Sequence, residues 1–140
     1  MSQELRVHAV HKGGMHFVAS IGDHSLSLDY PLQPGRTAGP TPLEMLLASL
    51  AACAGSTVAL LLRRMDAPLA GLEVEARGTR RDEHPTIMTE IALDFVLRGD
   101  GLDPGAVARA LQIAEEQLCP VWAMLKTGTV ISASFRIAED

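Results

Sequence analysis

Aromatic side chains are scarce in this sequence. Three Phe, one Tyr and one Trp make up 4% of 140 residues, so Leu, Val, Ala and Met must fill the interior. Cysteine is scarcer still. Its two copies, at 53 and 119, lie 66 positions apart and do not form a secreted disulfide framework. A basic excess is also missing: 12 Lys and Arg against 17 Asp and Glu give a net charge of −5, which argues against a nucleic-acid partner. There is no repeat, no low-complexity tract and no glycine loop of the kind that cradles phosphate. Histidines stand at 8, 11, 16, 24 and 84. His8 and His11 would face opposite sides of a strand, and no helix carries His-x-x-x-His, so no metal is expected.

What is present describes a globular chain. Apolar residues make up 47% and charged residues 21%, well away from disorder. The length suits a single domain, 1–140, with a real core and something to gain from a partner. One stretch, "MLLASLAACAGSTVALLL" (45–62), is 18 residues without a charge, the lower limit for a membrane span. It begins far from the N-terminus and has no basic leader. It also contains Ser49, Gly55, Ser56 and Thr57, and strand-like segments flank it. The expectation is a buried core helix and no membrane.

Residues 1–40 read as hairpin strands and a loop. "LRVHAVH" (5–11), "MHFVAS" (15–20) and "SLSLDY" (25–30) are separated by Gly13-Gly14 and by "IGDH", both hairpin turns. In the third run Leu26, Leu28 and Tyr30 alternate with Ser25, Ser27 and Asp29, which predicts one buried face. The proline-rich "PLQPGRTAGP" (31–40) must be a loop. A long central helix, 41–66, then opens with Thr41 as cap, Pro42 in the first helical position and Glu44 as the capping-box carboxylate. Arg63 and Arg64 suit its C-terminal end. Residues 72–140 read as strand, strand, helix, strand. "LEVEARGTR" (72–80) and "IMTEIALDFVL" (87–97) alternate, Asp103-Pro104 opens the helix, and "VISASFRI" (130–137) closes the chain with Ile131, Ala133, Phe135 and Ile137 inward. In that helix Val107, Leu111, Ala114 and Leu118 form an apolar stripe. Pro120 forces an end or a kink at Cys119. The order predicts an α+β fold with mainly antiparallel pairing.

Both cysteines have two readings. Cys53 would have Ser49, Ser56 and Thr57 as helical neighbours, hydroxyls able to donate to a thiolate. Alternatively it is a small packing atom and the hydroxyls bond backbone carbonyls one turn back. Cys119, at a helix C-terminus where the dipole opposes a thiolate, would be a poor first nucleophile but a serviceable resolving thiol.

"GPTPLEMLLASLAACAGSTVALLLRRM", "EHPTIMTEIALDFVLRG" and "AVARALQIAEEQLCPVWAML" together resemble the OsmC/Ohr family of thiol-dependent hydroperoxide reductases, in its OsmC-like branch. The resemblance covers nearly the whole chain. It implies an intertwined homodimer with mainly antiparallel sheets around the long helix, and active sites between subunits. It makes Cys53 the peroxidatic cysteine and Cys119 the resolving one. The substrates it implies are organic or fatty-acid hydroperoxides, and the reductant a dithiol such as dihydrolipoyl protein. It calls for no metal or organic cofactor and a cytoplasmic location.

The chain departs from the peroxidase branch in two places. Where that branch has an arginine after the hairpin Gly-Gly, this chain has Met15 and His16, leaving Arg36 as the substitute or as a solvated loop charge. The family carboxylate of that branch falls on Leu43, and Glu44 fills the next position, as catalytic partner or as cap alone. Glu44 and Cys53 are nine residues apart, so they point to opposite sides of one helix, roughly 13–14 Å apart along its axis. Glu44 could therefore reach Cys53 only across a dimer interface. Trp122, close to Cys119, either walls a peroxide pocket or packs. A different class of function, a redox-sensing or hydrophobic-ligand-binding module on the same scaffold, follows from the missing hairpin arginine.

Overall fold

The computed structural model describes residues 2–139; the two ends of the predicted 1–140 domain lie outside the described residues. The chain divides into two compact units, one running to Leu46 and the other starting at Leu47.

The first unit is a three-stranded antiparallel meander of β1 (His8–Gly13), β2 (His16–Ile21) and β3 (His24–Leu28). Both predicted turns form. Gly14 and Gly22 open them at φ 54° and 58°, the left-handed region where a Cβ is strained. β1 starts at His8, not at Leu5, and Leu5 and Val7 precede the ladder in solvent. The alternation in β3 is real, but its apolar face is not buried within the chain. Phe17 lies opposite Leu28 and Ala19 opposite Leu26, yet Phe17 is 41% and Leu26 38% exposed, and only Ala19 is buried in this sheet. The 31–40 loop is held by Asp29, whose N–H donates to the Pro40 carbonyl and whose carboxylate accepts the Ala38 N–H.

The boundary between the units falls in the first turns of α1 (Pro42–Arg64). Its start is the predicted capping box: the Thr41 N–H donates to the Glu44 carboxylate at 2.9 Å, and the Glu44 N–H donates to the Thr41 hydroxyl at 3.1 Å. In the second unit α1 presents Leu50, Ala54, Val58, Leu61 and Leu62 to the interior, a stripe at helical spacing. Burial of each Leu or Val there contributes about 1.5–3 kcal/mol. The helix is long and apolar enough to cross a membrane, and 33% of its most apolar window is buried inside the chain.

Its partner is a sheet ordered β4 (Gly71–Arg80), β5 (Met88–Arg98), β6 (Val130–Ile137). Gly55 brings α1 so close to β4 that a Cβ there would meet the Val74 side chain at 3.1 Å. β4 and β5 pair antiparallel, whereas β5 and β6 pair parallel, with Phe95 opposite Phe135. A parallel pair needs a crossover, supplied by α2 (Pro104–Ile113), a π-helical turn (Ala114–Leu118) and α3 (Pro120–Leu125). Asp103 caps α2 by accepting the Ala106 N–H, as its Asp-Pro start predicts. Ile91, Leu93, Phe95 and Leu97 are buried, and so are Val107, Ala110 and Ala114. On the other face of the sheet, the Ser134 hydroxyl and the Arg77 guanidinium both donate to Asp94 and hold its carboxyl below the usual range.

Leu118 does not continue the α2 stripe; it is 44% exposed. The extra residue accommodated by the π turn rotates it away from the face that Val107 and Ala114 occupy. Among the inward positions predicted for β6, Ile131, Phe135 and Ile137 are half-buried and Ala133 is exposed.

A tight backbone approach also fixes the exit from β5. A Cβ on Gly99 would stand 1.9 Å from the Pro68 carbonyl oxygen. Gly99→Ala is expected to destabilise the fold by roughly 1–3 kcal/mol, as overpacking of a filled site does. A lowered melting temperature with an unchanged folded-state circular dichroism spectrum would show it.

Candidate active site

Cys53 sits on α1 one residue before the buried Ala54, and its side chain is half-buried. Cys119 occupies the break between the π turn and α3. Pro120 disfavours helical geometry at the residue before it, and Cys119 is extended at φ −80°, ψ 107°. Pro120 then starts α3 in the first helical position, where its missing N–H costs nothing. Cys119 is therefore also the residue that opens α3, which corrects the expectation of a simple helix C-terminus. The N–H groups of Trp122 and Val121 act on its sulfur and favour the thiolate.

The two sulfurs, remote in sequence, are 3.1 Å apart, and the Cys119 thiol donates to Cys53. Both are free thiols. A disulfide, at about 2.05 Å, needs roughly 1 Å of further approach.

Their surroundings differ. Cys119 is 1% exposed. Burial pushes its thiol up to about 11 against the help of the Trp122 N–H, and the adjacent Cys53 sulfur adds to the rise. Cys119 is thus held protonated as a hydrogen-bond donor, whereas Cys53 is the acceptor and the more open of the two.

The predicted stripe of hydroxyls around Cys53 resolves in part. Thr57 donates to the Cys53 backbone carbonyl at 2.8 Å, the ordinary bond one turn back, and not to the sulfur. Ser56 is exposed beside a groove of about 570 Å³ that also involves Ala48, Ala52, Gly55, Leu72 and Val74. Trp122 is 1% exposed and packs in the core of its unit.

The other two candidates belong to the first unit. Glu44 closes the capping box, and the Thr41 N–H and hydroxyl hold its carboxyl below the usual range. Arg36 lines a cavity of about 300 Å³ together with Gly13, Gly14, Met15, His16 and Tyr30. Arg36 and the hairpin turn thus border the same cavity. Sequence reasoning missed the two backbone N–H groups at the Cys119 sulfur. Their signal was legible in Cys-Pro, which places a cysteine immediately before a new helix.

A long helix and a kinked second helix that bring two free thiols together on a small α+β scaffold define a recognisable class. The family described as OsmC-like protein matches residues 34–134, and this chain belongs to it. The matched span contains Arg36, Glu44, Cys53 and Cys119. Protein YhfA of Escherichia coli strain K12 is 33% identical over 98 residues, 70% of this chain and 73% of the relative. Among solved structures, the OsmC-like protein from Mycoplasma pneumoniae superposes with a TM-score of 0.88 at 19% identity, covering 99% of this chain and 100% of that one. The organic hydroperoxide resistance protein OhrB of Bacillus subtilis superposes at 0.68 with 19% identity, covering 96% of this chain and 98% of that one. Both share the fold.

Proposed function

We propose that this chain is a two-cysteine peroxide reductase of the cytoplasm that converts organic or fatty-acid hydroperoxides to alcohols. The observation that carries this reading is the 3.1 Å contact between an accessible sulfur and a buried one. The description of OhrB as an organic hydroperoxide resistance protein supports the substrate class. A reducing compartment keeps both thiols free between turnovers.

The chemistry runs in three balanced steps. The Cys53 thiolate attacks one peroxide oxygen; the O–O bond breaks, the alkoxide leaves and is protonated to the alcohol, and Cys53 becomes a sulfenic acid. Cys119 then attacks the Cys53 sulfur; an S–S bond forms, the S–O bond breaks, and the hydroxyl leaves with the Cys119 proton as water. A dithiol such as dihydrolipoyl protein finally reduces the disulfide by exchange and is itself oxidised to a disulfide.

A homodimer completes the reading. The exposed apolar face of Phe17, Ile21 and Leu26 is surface that a second copy would cover. Across such an interface Glu44 and Arg36 become available to the partner's thiols, Arg36 as the cation beside the thiolate and Glu44 as the carboxylate that orients it.

A second reading, a redox-sensing or hydrophobic-ligand-binding protein with little peroxidase activity, is favoured by the small-residue groove along α1 and by Met15 and His16 at the hairpin turn. One titration separates the two. After a single equivalent of cumene hydroperoxide, the reductase loses both thiols of each chain with no crosslinked dimer. Thiols that survive the peroxide, in a chain that retains an apolar ligand, would replace the first reading with the second.

A further inference from the structure

The turn before Cys119 is stretched by one residue. In a continuous α-helix the Cys119 N–H would bond the Glu115 carbonyl. It bonds Ala114 instead, at 2.9 Å, and the Glu115 oxygen loses its helical donor. That oxygen accepts a hydrogen bond from the Lys126 ammonium at 3.1 Å. Lys126 is itself fixed at the end of α3, where its N–H donates to the Trp122 carbonyl at 2.9 Å. The Cys119 carbonyl, between the two ends, accepts the Ala123 N–H at 3.0 Å.

We propose that Lys126 is a positioning residue for the resolving thiol: its ammonium holds the Glu115 carbonyl and so keeps the π turn that aims Cys119 at Cys53. This rests on the two-cysteine reading. Without the ammonium, the Glu115 oxygen becomes the natural acceptor for the Cys119 N–H, and the turn relaxes toward ordinary helix. A shift of one residue in helical register turns a side chain by about 100° about the axis. The sulfur would then leave its partner. The Lys126 charge also sits at the C-terminal end of the α2 and π-turn segment, where the helix dipole favours it. Pro120 sharpens the dependence, because it has no N–H with which to satisfy the preceding turn.

The step affected is the second: the sulfenic acid on Cys53 and the thiol of Cys119 form the disulfide and release water. The first step, at Cys53, does not use the π turn. The test compares wild type, Lys126→Met and Lys126→Arg, mixed rapidly with cumene hydroperoxide. Sulfenic acid is trapped with dimedone, and disulfide closure is followed by the fluorescence of Trp122, the chain's single tryptophan. In Lys126→Met the sulfenic acid should form within about twofold of the wild-type rate, and closure should slow by on the order of tenfold or more, because a misplacement of about 1 Å costs up to a hundredfold. Lys126→Arg, which keeps the cation, should restore closure. A purely structural role would slow both steps or neither.

Wild-type closure in Lys126→Met overturns the proposal. If wild type forms no sulfenic acid, the two-cysteine reading fails and the brace is still read with diamide, which closes the same disulfide without peroxide. Equal diamide rates in wild type and Lys126→Met would overturn it too.

Discussion

Cys53→Ser is expected to abolish hydroperoxide turnover, with nothing above background at any reductant concentration. A hydroxyl in place of the thiolate cannot take the peroxide oxygen, and the remaining Cys119 is 1% exposed and held protonated. The fold should survive. Cys53 is half-buried, and Ser is nearly its shape, so stability should change by no more than about 1 kcal/mol. The measurement is a coupled assay with dihydrolipoamide and cumene hydroperoxide, beside a thermal melt of the same preparation. Robust turnover by a folded Cys53→Ser chain would remove the mechanism. The variant also isolates Cys119 as the only thiol. Burial still raises it, but the charge repulsion that the Cys53 sulfur adds is gone, because a serine hydroxyl does not ionise. Its thiolate absorbance should therefore titrate below the wild-type value of about 11.

The parts of this molecule legible in its sequence are those set by local backbone chemistry. Thr41, Pro42 and Glu44 announce the start of α1 because a capping box uses only atoms within four residues. Asp103 and Pro104 do the same for α2. The strand runs of β4 and β5 follow from alternation. Alternation is silent, however, on the direction of the neighbour. The parallel pairing of β6 with β5 comes from the crossover between them, not from their pattern.

The misreadings along α2 share a cause. Val107, Leu111, Ala114 and Leu118 fit an α period, and nothing in their spacing shows the residue that the π turn takes up. Leu118 consequently turns outward, and Cys119 changes from the last residue of one helix to the opening residue of the next. The buried face predicted for β3 failed differently: Leu26 alternates correctly, but burial requires a partner surface that this one chain does not supply within its own unit. At the site, the contact between Cys53 and Cys119 spans 66 positions and could not be read from spacing. The residue chemistry and the family resemblance both suggest the pair, but only the coordinates bring the sulfurs to 3.1 Å. Any part for Arg36 or Glu44 at a thiol comes from the resemblance alone, and Glu44, nine residues from Cys53 on one straight helix, could reach such a sulfur only from a second copy of the chain.

Cys119→Ser should give the second-largest loss. Cys53 still attacks, so each chain consumes one peroxide and stops at a sulfenic acid that dimedone labels. Steady turnover with dihydrolipoamide should fall by on the order of a hundredfold, the scale at which loss of a well-placed reacting group is felt. In wild type the Cys119 thiol is pushed up to about 11, first by burial, with the Cys53 sulfur adding to the rise and the N–H groups of Trp122 and Val121 pulling the other way. Because the folded state keeps this thiol protonated above its ordinary pKa of 9.0, the thiol's contribution to stability is complete below that value and is lost as pH rises through about 11. In wild type the stability of the reduced protein should fall over that interval. In Cys119→Ser the same decline should be much reduced, and an equal alkaline loss in both proteins would mean that the buried thiol is not the group responsible.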